Sequence, residues 1–228
     1  MEETSVVRTG DLSAPLATQM VRAFDGALAL QSEVPEWVLQ IHGMSGRLYR
    51  RFINNLVRSQ VDARYLEIGS WAGSTACAAM VGNKTKITCI DNWSEFGGPK
   101  EAFITATNAA RSPDVNFTFI EKDFRTVDYA GLGKFNIYLF DGPHTYQDQY
   151  DGIAAAQPAL EREYIQIVDD WNWPQVRDGT MQALHDQAVE VVAKIEVRTT
   201  QDDSHPKLAQ MENSAWHNGY LMALVRKG

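Results

Sequence analysis

Residues 65–75 read YLEIGSWAGST. An aromatic and apolar run, Tyr65–Ile68, stops at Gly69, and a second glycine, Gly73, stands just before residues that suit a helix. A strand that ends in glycine and turns at once into a helix is the opening of a βαβ unit. Glycine there allows a tight turn and the close approach of a ligand to the backbone, while the helix that follows offers free N–H groups to an anion. A plain tight turn uses the same residues, so the stretch fixes a fold class before it fixes a function.

Outward from it, the pattern repeats. Further strands are predicted at Ile87–Ile90, Phe117–Ile120, Ile137–Phe140 and Tyr164–Val168, with helices at Thr75–Val81, Lys100–Ala110, Tyr146–Leu160 and Val176–Ala188. Strands alternating with helices predict a parallel sheet covered on both faces. After residue 188, Val189–Thr199 and Tyr220–Val225 read as strands joined by the polar stretch Thr200–Asn218, with no crossover helix, so they should pair antiparallel. The expectation is a Rossmann-like α/β fold: a seven-stranded, mostly parallel sheet with an antiparallel C-terminal edge. Residues 1–60 read as a helical extension or lid, with helices over Leu12–Leu30, from Glu36 and over Arg47–Val57, and residues 61–228 as the main domain.

Composition narrows the classes. The chain has 228 residues, 44% of them hydrophobic, and a net charge of −8. That charge argues against nucleic acid and anionic membranes as partners. No apolar run approaches the length of a membrane span, and the start, MEETSVVRTG, lacks the basic and apolar regions of a secretory signal. Cys77 and Cys89 sit in apolar surroundings without metal-type spacing and read as reduced core thiols, as in a cytoplasmic protein. The one basic cluster, Arg47, Arg50 and Arg51, reads as a solvated helix face rather than a phosphate site.

Ligands of open α/β sheets bind beyond the carboxyl ends of the strands, and this chain places its acids there. Asp91 ends the second strand in ITCIDNW, about 20 residues past Gly69, where an acid can accept both ribose hydroxyls of an adenosine. Asp123, in EKDF at the end of the third, could receive the exocyclic amine of adenine. Residues 138–146, YLFDGPHTY, and 165–173, IQIVDDWNW, run from apolar strands into Asp141 and into Asp169 and Asp170. Three carboxylates at adjacent strand ends would repel one another and raise one another's pKa unless a cation joins them. A hard cation such as Mg²⁺, which takes oxygen ligands, answers that conflict. His144, three residues past Asp141, suits a general base. Loop capping by the Asp pair and a local helix-start role for His144 remain open on spacing alone. Trp93, Trp171 and Trp173 stand near the same rim as pocket walls or as packing, and His42, His185, His205 and His217 read as ordinary surface or core histidines.

Taken together, YLEIGSWAGSTA, FDGPH and VDDW resemble class I S-adenosylmethionine-dependent methyltransferases over residues 65–173. They are most similar to small-molecule O-methyltransferases that use a divalent metal, of the catechol type and the macrolide-sugar type (macrocin and mycinamicin O-methyltransferases). The resemblance implies that Glu67, Gly69, Ser70 and Gly73 surround the methionine part of the cofactor and that Thr75 meets its carboxylate. It puts Asp91 at the ribose, Asp123 with Phe124 at the adenine, and Asp141 beside the cofactor as well as among the metal ligands. GMSG (Gly43–Gly46), with Met44, looks like a lid over the methionine end. The D-x-x-H of Asp141 and His144 matches the sugar-type enzymes, where the catechol type has lysine, and Asp170 stands where the catechol type has asparagine. The expected activity is Mg²⁺-assisted methylation of a hydroxyl on a small polyhydroxylated acceptor, a sugar or natural product, with His144 as base. The alternatives are a metal-independent N- or O-methyltransferase and a non-catalytic S-adenosylmethionine-binding protein. A homo-oligomer is left open.

Overall fold

A computed structural model describes residues 4–207 and 211–228. Residues 1–3, and 208–210 of the polar stretch, lie outside the described residues. A single 8-stranded sheet has the order β1-β7-β8-β6-β5-β2-β3-β4. Its parallel part is β2 (Ala63–Ile68), β3 (Thr85–Asp91), β4 (Val115–Glu121), β5 (Phe135–Phe140) and β6 (Leu160–Val168). β8 (Tyr220–Lys227) pairs antiparallel with both β6 and β7 (Val189–Arg198), as the absence of a crossover helix demands.

The strands sort their side chains with period 2. Tyr65, Cys89, Leu139 and Ile167 face one core with α1 (Pro15–Leu28), α3 (Arg47–Ser59) and α4 (Ser74–Met80). Leu66, Ile90, Phe140 and Val168 face another with α6 (Tyr146–Ala156) and α7 (Pro174–Asp186). Both faces are apolar because both are covered, which is why these strands read as continuous hydrophobic runs. α5 (Lys100–Ala110) contributes Phe103 to the first core, and a short α2 (Glu36–Leu39) contributes Val38 and Leu39.

The sheet has one strand more than the sequence reading placed. Within the segment read as wholly helical, β1 (Ser5–Gly10) pairs antiparallel with β7 from Ser5↔Arg198 to Gly10↔Ala193. SVVRTG carries only two large apolar residues, Val6 and Val7, and both are exposed, so it shows no alternation to detect. Gly10 permits the pairing: its φ is +84°, and a Cβ would stand 2.3 Å from the Val192 carbonyl oxygen. A second correction concerns α6, which stops at Ala156 instead of running to Leu160. Pro158 lies in the 3₁₀ turn that follows, and β6 starts at Leu160, earlier than the charged residues Glu161–Glu163 suggested.

The basic cluster also divides. Arg47 pairs with Glu36 and Arg51 donates to Ser32, but Arg50 is fully buried, so the three do not share a solvated face. Cys77 and Cys89 are buried and free, as expected.

Candidate active site

Strand order reverses between β2 and β5, and the crevice at their carboxyl ends is where an open α/β sheet receives a ligand. Gly69 and Asp141 meet there. Gly69 has φ +84°, and a Cβ on it would lie 1.8 Å from the carbonyl oxygen of Asp141, so only glycine lets the two loops touch. Gly73, at φ +85°, precedes α4 with Phe103 packed against it. A cleft of about 720 Å³, counting its open mouth, extends from this point across the ends of β2, β3, β4 and β5.

Met44, Gly69, Asp91, Asp123, Phe124, Asp141 and His144 line the cleft. Asp91 accepts the backbone N–H of Trp71 at 2.8 Å and of Trp93 at 2.7 Å, one on each oxygen, and thereby fixes the two loops that frame it. Asp123 accepts the N–H of Arg125 at 2.9 Å and caps a 3₁₀ turn. That turn sets Phe124 edge-on to Phe140, with the Arg125 guanidinium 4.3 Å over its ring.

Glu67, Ser70 and Thr75 are buried beneath the turn and, with Gly73, do not line the cleft wall. The Glu67 carboxyl accepts from the Tyr65 hydroxyl at 2.7 Å. Burial pushes it up to about 7, against the opposing pull of the Tyr65, Ser70 and Thr75 hydroxyls. Oε1 of Glu67 and Oγ of Ser70 are both buried without an aligned partner.

The opposite wall holds the acids. Nε2 of His144 stands 2.6 Å from Oδ2 of Asp170 and 3.6 Å from Oδ1 of Asp141. Ligand atoms of these three residues all lie within 4.8 Å of one another. Burial works to lower the imidazole's pKa, but the Asp170 and Asp141 carboxylates outweigh it and hold it at about 10. Burial would raise Asp170, yet the His144 imidazolium keeps it below its ordinary value. Asp141 goes to about 6, through burial that His144 only partly offsets. Asp169 is buried too and, with Asp141 and Asp170 beside it, rises well above the carboxylate range. The cluster that could hold a metal is therefore Asp141, His144 and Asp170, with Asp169 next to it and one of its oxygens accepting the Asp170 N–H at 2.7 Å.

Residues far away in sequence complete this wall. Asp170 sits at φ +55°, and Asn218 donates to its Oδ1 at 2.7 Å. Asn172 donates to Asn218 at 3.0 Å and to Thr199 at 2.8 Å, making a buried amide relay behind the carboxylate. Trp173 stands edge-on to His144, His205 lies beside Trp173, and His217 beside His205. Burial drives His217 down to about 4, so it is neutral. Nothing in the spacing of His205, His217 and Asn218 announces this arrangement. Trp171 is core rather than rim, 1% exposed, with its indole N–H donated to Glu196. Trp93 packs on Phe103 and Phe119.

A family model described as methyltransferase domain matches residues 66–187, more than half of the chain. The chain belongs to the methyltransferase domain family. No curated protein sequence matches it. Among solved structures it is similar to the O-methyltransferase TomG of Streptomyces achromogenes, involved in tomaymycin synthesis and solved with S-adenosylmethionine. The TM-score is 0.56 at 16% identity, over 91% of this chain and 89% of that one. The S-adenosylhomocysteine-bound methyltransferase PaMTH1 of Podospora anserina matches at TM-score 0.52 and 16% identity, over 92% and 88%. TrmN of Thermus thermophilus matches at 0.54 and 13%, over 91% of this chain, which spans about half (53%) of TrmN's length. At these identities the likeness is one of fold. Among the described residues no helix is long and apolar enough to cross a membrane.

Proposed function

We propose that this domain methylates a hydroxyl of a small polyhydroxylated acceptor, a sugar or natural product, with Mg²⁺ assistance and His144 as general base. The observation that carries the reading is the convergence of Asp141, Asp170 and His144 beside the Gly69 turn, on the cleft where the methyl donor belongs. S-adenosylmethionine supplies the methyl group. The acceptor oxygen forms its bond to the methyl carbon as the carbon–sulfur bond breaks, with the electron pair staying on sulfur. Nε2 of His144 takes the hydroxyl proton, and Trp173 and His205 wall the acceptor side.

The donor set fits a divalent cation. Asp141 and Asp170 offer carboxylate oxygens with Asp169 beside them, and a cation there would relieve the repulsion among the three, leaving His144 free to act as base. When bound there, Mg²⁺ polarises the acceptor hydroxyl and supplies the counter-charge that otherwise comes from the imidazolium. Asp170, held by Asn218, keeps the imidazole oriented toward the cleft.

A second reading has its own support. The His144–Asp170 contact at 2.6 Å already balances charge inside the cluster, as a metal-independent N- or O-methyltransferase would need. An acceptor screen with methyl-labelled S-adenosylmethionine, run with Mg²⁺ and with EDTA, separates the two. Turnover that depends on Mg²⁺ and drops at least about 100-fold in His144→Gln, the size of a lost general base, supports the first. EDTA-insensitive turnover selects the second, and full activity in His144→Gln rejects His144 as the base.

A further inference from the structure

Beneath the loop that carries Met44 lies a guanidinium with no ion-pair partner among the described residues. Arg50, on α3, is 0% exposed. Its Nη1 donates to the carbonyls of Val38 (2.9 Å), Leu39 (3.2 Å) and Ile41 (2.8 Å), its Nη2 to that of Gly43 (3.3 Å), and its Nε to Oγ of Ser45 (2.9 Å). Residues 38–45 thus wind around one charged group. The contact continues outward: Oγ of Ser45 lies 2.9 Å from Oγ of Ser74, directly after the glycine turn. Gly43 presses on the same residue, where a Cβ would stand 2.8 Å from that Oγ. Between Gly43 and Ser45, Met44 lines the cleft.

Every acceptor around Arg50 is neutral, and among the described residues no ion pair includes it. Glu212, the carboxylate nearest this loop in its bonding, lies 3.3 Å from both the Gly43 N–H and Nδ1 of His42. Burial pulls the guanidinium down to about 10, an effect that Tyr220 and Glu212 offset only in part. A buried charge without a partner is costly, and main-chain carbonyls recover that cost only in part. Glu67, an acid, lies before the Gly69 turn, and Arg50 reaches its far end through Ser45 and Ser74. Ser70, between them, keeps a buried hydroxyl without an aligned hydrogen bond. Opposite charges at the two ends of one turn match a zwitterion, and the amino-acid end of S-adenosylmethionine is one.

We propose that Arg50 is a positioning residue for the amino-acid carboxylate of the methyl donor: through Ser45 and Ser74 it supplies the buried positive charge opposite which that carboxylate settles, and it fixes the Met44 loop over it. This rests on the cofactor reading above. The test is calorimetric titration of S-adenosylhomocysteine, and of its decarboxylated analogue, which keeps the ammonium, into wild type, Arg50→Met, Arg50→Lys and Ser45→Ala. Wild type should prefer the carboxylate-bearing ligand by about tenfold or more, the size of one charge-assisted interaction. Arg50→Met should erase that preference, weakening the carboxylate-bearing ligand about tenfold more than the decarboxylated one, and Arg50→Lys should restore part of it. If Arg50→Met does not fold, Ser45→Ala, which cuts the link and leaves the charge in place, should show the same selective loss. Equal weakening of both ligands would make Arg50 a loop scaffold only, and no wild-type preference would also overturn the inference while leaving the cofactor reading intact. Failure of wild type to bind either ligand would remove the cofactor reading itself.

Discussion

His144 and Asp170 show how a single contact sets the site's protonation. The imidazole, ordinarily near 6.5, is held at about 10 by the two carboxylates despite its burial. A group whose pKa is raised by folding contributes stability that is fully present below its unfolded value and is lost as pH rises through its folded value. In metal-free protein the contact should therefore stabilise the fold at pH 6 and fade toward pH 10. Thermal melts with EDTA across that range check this: wild type should lose its margin over His144→Gln as pH rises, and a margin independent of pH would show that the imidazolium is not formed. Much at this scale is legible from type and place, since Asp91, Asp141, Asp170 and His144 follow directly after strands or one turn beyond. Arg50 is not. In RLYRR it has the same chemistry as Arg47 and Arg51, and only the winding of residues 38–45 around it separates the three. Asn218 is equally silent, because its partner Asp170 is brought to it by strand pairing between β6 and β8.

Elements built from local signals were read closely, and those built from distant partners were not. α5 runs over the residues its pattern indicates, and the central strands β2, β3 and β5 fall where apolar runs predict them, because both of their faces are covered. β1 exists only because β7 presents an open edge, and its outward residues carry no pattern. Its energetic share is correspondingly small: Val6 and Val7 remain 40% and 48% exposed. Its second task is to cover that edge, which unpaired would template association with another chain. Deleting residues 1–10 should leave S-adenosylhomocysteine affinity within about twofold and lower the melting temperature by only a few degrees, roughly 1 kcal/mol for a domain of this size. Light scattering should show increased self-association. A truncated chain that loses ligand binding would mean that β1 supports the cleft directly.

Across the whole molecule, the fold delivers residues from both ends of the chain to one crevice. Met44, from the loop before α3, lines it on one side, His144 lines it on the other with Trp173 and His205 behind, and the strand reversal between β2 and β5 makes the gap they share. Acidic character is concentrated where a cation or a sulfonium belongs, which gives a purpose to burying Asp141, Asp169 and Asp170 together. The central claim, that this crevice takes the S-adenosyl nucleoside through the Gly69 turn and Asp91, is tested most directly by calorimetric titration of S-adenosylhomocysteine into wild type and Asp91→Ala, with Mg²⁺ and with EDTA. One binding site in wild type in both buffers, weakened about tenfold or more in the variant, as for loss of hydrogen bonds to a charged group, is the expected result. No heat of binding in either buffer, or unchanged affinity in Asp91→Ala, would contradict it.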